Sequence, residues 1–139
     1  MQGYVERGEL VPDELMLQLV GGAVAEAARA GGYVLDGFPR TLAQAQRAYE
    51  LALPQGITAD AVVYLAVPDD VARERLLSRD EGRADDRDPE VIDRRLRVFH
   101  ELTEPLLAYY EERGILVTVD ATPPPDEVTT AMLAAVGDR

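Results

Sequence analysis

Ala61-Val62-Val63-Tyr64-Leu65-Ala66-Val67 is an unbroken apolar run, rich in valine and cut off by Pro68-Asp69-Asp70. Such a run, bounded by breakers and too short for a helix of ordinary length, is the pattern of a buried strand. Tyr33-Val34-Leu35 and Ile115 to Val119 are two further short apolar runs, and strands are expected there too. Between the runs the apolar spacing changes to that of helices. Leu15, Leu19, Val20, Ala23, Val24 and Ala27 form one apolar face after Pro12-Asp13-Glu14, a good helix opening, and Gly31-Gly32 stops it. Thr41 can cap a second helix reaching about Leu51, which Pro54-Gln55-Gly56 breaks. A third helix is predicted after Pro68. A long one starts at Asp88-Pro89-Glu90, carries Pro105 as an expected kink, and ends at Gly114. A last helix runs from Asp126 to Val136.

Strands separated by helices imply βαβ units, hence an α/β fold with a parallel sheet and flanking helices. Ligands of such sheets bind at the carboxyl ends of the strands. Those ends are Asp36 to Arg40, Pro68 to Asp70 and Asp120 to Pro123. The polar stretch 80–88, with Gly82 inside it, reads as a loop.

Composition narrows the partners. The formal charge of −12 argues against nucleic acid or an anionic membrane surface, since a polyanion is repelled. No run reaches the roughly 18 apolar residues of a membrane span, and the first residues do not resemble a signal peptide, so the cytoplasm is the expected compartment. Cysteine is absent, which excludes disulfides and cysteine-based metal sites. Lysine is absent too, so every strong cation is a guanidinium, the fork suited to phosphate or carboxylate. Arg73, Arg75, Arg79, Arg83, Arg87, Arg94, Arg95 and Arg97 cluster in one stretch. Composition alone would make that cluster a solvated, ion-paired helix.

Asp36-Gly37-Phe38-Pro39-Arg40 is the stretch best suited to a ligand. A carboxylate at a strand end can meet a hydrated metal or a cation, Gly37 lets backbone approach closely, Pro39 stiffens the turn and Arg40 matches phosphate. Gln44, four residues on, offers the donor and acceptor that the edge of adenine requires. The alternative is an ordinary turn carrying an Arg–Asp surface pair.

Leu35-Asp36-Gly37-Phe38-Pro39-Arg40 resembles the signature of adenylate kinases and related nucleoside monophosphate kinases. Gly8 to Leu15 is similar to that family's segment lining the AMP adenine pocket, and Gly82-Arg83-Ala84-Asp85-Asp86 to its lid. Arg94-Arg95-Leu96 with Thr103-Glu104-Pro105 resembles the helix after the lid, and Val119-Asp120-Ala121 the final strand and loop. These segments stand in family order along nearly the whole chain. The resemblance implies a single adenylate-kinase-like domain over 1–139: residues 1–30 the remainder of an AMP-binding region, 80–88 a short lid, the rest core.

The implied activity is MgATP + AMP ⇌ 2 ADP, with ATP and AMP as partners and magnesium carried by ATP and reached through water. Glu9, Leu10 and Val11 would line the adenine pocket of AMP through their backbone. Gly37, Phe38, Pro39 and Arg40 would hold AMP, Arg40 on its phosphate and Gln44 on its base, while Asp36 would act through magnesium-bound water. Arg83 and Arg95 would converge on the phosphates as the lid closes. Arg79 would lie along the ATP adenine, and the loop at Pro123 would touch that base through its backbone. Asp85 and Asp86 are expected to orient the lid arginines, Arg75 and Arg94 to be surface or ion-pair residues, and His100 to have no role. Related pyrimidine kinases usually follow the signature arginine with asparagine; Thr41 here, with Gln44, favours adenine. A pyrimidine monophosphate kinase and a non-catalytic nucleotide-binding or regulatory module are the alternatives.

One family part has no counterpart: nothing matches the phosphate-binding loop GxxGxGK[GT]. The resemblance therefore implies a P-loop kinase fold incomplete at its N-terminus, a monomer when complete. Alone, the chain is expected to be poorly stable or inactive, with open sheet edges that a complementing N-terminal segment would fill.

Overall fold

The computed structural model describes residues 13–79 and 88–137. The chain forms two compact units, residues 1–59 and 60–139.

In the first unit, α1 (Asp13–Ala30) opens on the carboxylates of Asp13 and Glu14 and carries Arg29 in its last turn, charges that suit the two ends of a helix dipole. It closes with Gly32 N–H on the Ala27 carbonyl at 3.1 Å. Helix α2 (Leu42–Ala52) has Thr41 as its N-cap: the extended backbone of Thr41 turns its hydroxyl oxygen to accept the Gln44 N–H at 3.1 Å. Leu53–Gln55 tightens into a turn of 3-10 helix, and the breaker expected at Pro54-Gln55-Gly56 ends it. Helices α1 and α2 pack together, burying Leu17 and Val24 on one and Ala45 on the other.

The strand expected at Tyr33-Val34-Leu35 does not form. These residues are irregular, and Val34 is 95% exposed. Apolarity supplies strand propensity, but a strand exists only where a neighbour takes its N–H and C=O groups. Among the described residues the sheet consists of two other strands, and neither pairs with this segment. The Tyr33 hydroxyl donates to the Ile57 carbonyl at 2.6 Å.

The second unit holds the expected parallel pairing. Strands β1 (Val62–Ala66) and β2 (Leu116–Asp120) run side by side, Val62 opposite Leu116 and Ala66 opposite Asp120. Parallel neighbours need a long crossover, supplied by α3 (Asp69–Leu77) and α4 (Pro89–Glu112). The Asp88 carboxylate caps α4 by accepting the Glu90 N–H at 2.9 Å, with Pro89 at the first position, where its missing N–H costs nothing. The helix continues through Pro105 to Glu112. It is closed by Gly114, whose φ of +71° lets Ile115 N–H return to the Tyr110 carbonyl and sends the chain into β2. After β2, α5 (Pro125–Gly137) packs back so that Val119, Ala121 and Val128 form a core with Val63, Val67, Val117 and Met132 against it. Ile92 on α4 is fully buried. Helices α3 and α4 are tied by Arg73 to Asp93, donating from Nε at 3.0 Å, and by His100 Nε2 to Asp69 at 2.7 Å.

Candidate functional site

The turn between Asp36 and Thr41 is built around Gly37, whose φ of +77° lies in the left-handed region. Arg40 folds back over it, donating from Nε to the Gly37 carbonyl at 2.8 Å. A Cβ on residue 37 would stand 3.3 Å from Arg40 Nη2, so both the backbone conformation and the arginine's approach call for glycine. The Phe38–Pro39 peptide is cis. Phe38 and Pro39 are half-buried, whereas Asp36 and Arg40 are exposed.

Gln44 locks the other side of the turn. Its Oε1 accepts the backbone N–H of Arg40 at 2.8 Å, while its Nε2 donates to Asp13 Oδ1 at 2.8 Å. Together with the Thr41 cap this is a variant of the capping box, with the side chain reaching back one residue beyond the cap. The amide thus orients Arg40 from the backbone side and joins the start of α1 to the start of α2. A glutamine amide has a second N–H and a second lone pair, so these duties leave it capacity toward a base. Gly37, Arg40 and Gln44 are therefore brought together as the sequence suggested. Asp13, the second partner of Gln44, was not foreseen.

The second unit carries the other predicted residues. Arg79 is exposed just beyond α3, Arg95 is exposed on α4, and Pro123 is half-buried in the loop after β2. Glu9, Leu10, Val11 and Arg83, with Asp85 and Asp86, lie outside the described residues. The loop after β2 is held more firmly than its sequence announces. Asp120 Oδ1 accepts both the Thr122 N–H at 2.9 Å and the Thr122 hydroxyl at 2.8 Å. Those hydrogen bonds, backbone first, hold the Asp120 carboxyl below its ordinary pKa; partial desolvation opposes them and the Arg75 charge adds to them.

Arg75, read from sequence as a surface or ion-pair residue, instead donates from Nη1 to the Ala121 carbonyl at 2.7 Å and from Nη2 to the Thr122 carbonyl at 2.9 Å. No local pattern points to such a contact, because the partners lie on another element. His100, given no role, serves as the α3–α4 tie through Asp69. A shallow cleft of about 370 Å³ between those helices is lined by Asp69, Arg73, Asp93, Arg97, His100 and Glu104. It contains none of the predicted site residues, and within it Arg73 pairs with Asp93 and His100 with Asp69.

Chemically, the first unit offers a guanidinium on a glycine turn beside an amide and a carboxylate, a set able to hold a phosphate and read a base edge. The second offers further guanidinium groups and a fixed backbone loop at a strand end. Among the described residues no helix is long and apolar enough to cross a membrane.

Comparison with known proteins bears on the family. The family model for adenylate kinase matches residues 1–115. An adenylate kinase of Thermus thermophilus is 45% identical over 135 residues, covering 96% of this chain and 69% of that protein. One from Parvibaculum lavamentivorans is 40% identical over 141 residues, with 98% and 68% covered. One from Thermobifida fusca is 41% identical over 140 residues, with 99% and 74% covered. With its signature turn in place and a family match running over most of its length, this chain belongs to the adenylate kinase family.

Proposed function

We propose that the chain serves as an adenylate kinase, reversibly moving the γ-phosphoryl group of MgATP to AMP to give two ADP. The observation that supports this most is the joined arrangement of Gly37, Arg40 and Gln44. It presents a phosphate-matching fork and a base-reading amide from one turn, in a chain of this family.

In the proposed reaction an oxygen of the AMP phosphate attacks the γ-phosphorus in line, and the bond from that phosphorus to the bridging oxygen of ADP breaks. Little covalent chemistry falls to side chains; positioning and charge stabilisation do most of the work. Arg40 takes the AMP phosphate. Gln44 meets the adenine edge, with the backbone of Glu9, Leu10 and Val11 lining the pocket and Phe38 and Pro39 walling it. Arg83 and Arg95 gather on the transferring phosphates when the lid closes and water leaves. Arg79 lies along the ATP adenine, and the Pro123 backbone touches that base. Asp36, an exposed single carboxylate, suits a magnesium ion that keeps most of its waters and arrives with ATP. The proposed setting is the cytoplasm, with free nucleotides as substrates, neither nucleic acid nor membrane as partner, and a monomer when complete, with a complementing N-terminal segment as the possible further partner.

A second reading is a module that binds nucleotide without turnover. A coupled assay of ADP formation with MgATP and AMP, run beside calorimetric titration with AMP, separates the two. Turnover supports the kinase, binding without turnover supports the module, and no binding of AMP removes both. UMP and CMP as acceptors test the nucleobase; faster turnover with either would make this a pyrimidine kinase.

A further inference from the structure

We infer that Asp13 is a positioning residue that fixes which way round the Gln44 amide sits, and so makes the chain select adenine over an oxopurine. This role rests on the nucleotide-kinase reading for the base that Gln44 meets. The orientation of the amide itself follows from the contacts among Asp13, Arg40 and Gln44.

A glutamine amide is ambiguous by nature. Its oxygen and nitrogen have nearly the same shape, and a half-turn about the last side-chain bond exchanges an acceptor for a donor. An unrestrained Gln44 could therefore serve base edges of opposite pattern. Adenine offers an exocyclic amino donor beside a ring-nitrogen acceptor, whereas hypoxanthine offers an oxygen acceptor beside a ring N–H. One orientation of the amide pairs with the first edge, and the turned one with the second.

Two neighbours of fixed polarity remove that ambiguity. The Arg40 backbone N–H can only donate, and it meets Gln44 Oε1 at 2.8 Å. The Asp13 carboxylate can only accept, and its Oδ1 meets Gln44 Nε2 at 2.8 Å. Turning the amide over would set N–H against N–H at Arg40 and oxygen against oxygen at Asp13. Of the two contacts the one to Asp13 involves a charge, which makes it the stronger lock. The second N–H and second lone pair of the amide are then left for the base in a fixed order.

This duty is separable from the packing of the unit. Glu14 still supplies a carboxylate to the first turn of α1 without Asp13, and Leu17, Val24 and Ala45 keep α1 and α2 together. Losing Asp13 should therefore act on the amide rather than on the helix pair.

The test uses the full chain with Asp13→Asn and Asp13→Glu. Asparagine keeps the shape but can donate or accept, so it tolerates either orientation of Gln44; glutamate stays an acceptor only. Calorimetry reads the affinities for AMP and for inosine monophosphate, and NMR without ligand reads the side-chain amide protons of Gln44. Asp13→Asn should move those signals and narrow the ratio of the two affinities by about tenfold, or about 1.4 kcal/mol. Asp13→Glu should recover most of the ratio. Equal losses for both nucleotides in Asp13→Asn would make Asp13 a helix-end residue only and would overturn the selecting role. A narrowed ratio beside unmoved Gln44 signals would mean that Asp13 meets the base directly, and would overturn the positioning role. Wild-type binding of AMP with an unchanged ratio in both variants would sink this inference alone. A wild-type chain that binds neither nucleotide would remove the nucleotide-kinase reading, and base selection with it.

Discussion

Gln44 Oε1 accepts the backbone N–H of Arg40 at 2.8 Å, so the amide proposed to read a base also fixes the residue proposed to hold a phosphate. The two contacts share one short turn, and disturbing either side chain should be felt by the other.

Gly37→Ala tests the turn itself. An alanine there would pay about 1–2 kcal/mol for the left-handed conformation, and its Cβ would press on the Arg40 guanidinium at 3.3 Å. Urea melts should show that loss of stability, and calorimetry should show weaker AMP binding, because Arg40 must move. Wild-type AMP affinity in a destabilised variant would separate the turn from the site.

Thr41→Ala and Gln44→Asn should behave differently although both belong to the cap. Thr41→Ala removes the oxygen that accepts the Gln44 N–H and should cost about 1 kcal/mol of stability with nucleobase preference intact. Gln44→Asn shortens the amide and should narrow the preference for AMP over UMP and CMP. If the two variants changed stability alike and neither changed preference, Gln44 would be a cap residue only.

Asp120 gives a pH dependence of known sign. Its carboxyl is held below the ordinary value of 3.8 by the Thr122 hydrogen bonds, so folding favours the ionised form. The resulting stabilisation is complete above the unfolded-state pKa and is lost as pH falls through the lower, folded one. Asp120→Asn keeps an oxygen acceptor but cannot ionise. Denaturant melts should therefore show the difference between wild type and Asp120→Asn constant above about pH 5 and shrinking below about pH 4. A difference that stayed flat through that range would show that the Asp120 contacts do not favour its charge.

Much of this fold could be read locally. The strands expected at 61–67 and 115–119 are found at Val62–Ala66 and Leu116–Asp120, and Thr41 and Asp88 start their helices because capping is a matter of a few neighbouring residues. At Tyr33-Val34-Leu35 the expected strand does not form, because local apolarity supplies propensity but not the partner strand that pairing needs. The same divide runs through the site. Gly37, Arg40 and Gln44 lie within eight positions and could be foreseen as a group, and the Thr41-x-x-Gln44 spacing could have disclosed the capping role as well. Asp13 meets Gln44 across 31 residues, and Arg75 meets Ala121 across 46. Contacts of that reach depend on how helices and strands are brought together, which neither periodicity nor a short motif encodes.

Arg40 is the residue proposed to hold the phosphate of AMP. Calorimetric titration of AMP into the wild-type chain and Arg40→Ala tests that most directly. Affinity should fall by about 1.5–3 kcal/mol, the range for a hydrogen bond to a charged group. Equal affinities in the two proteins would contradict the account.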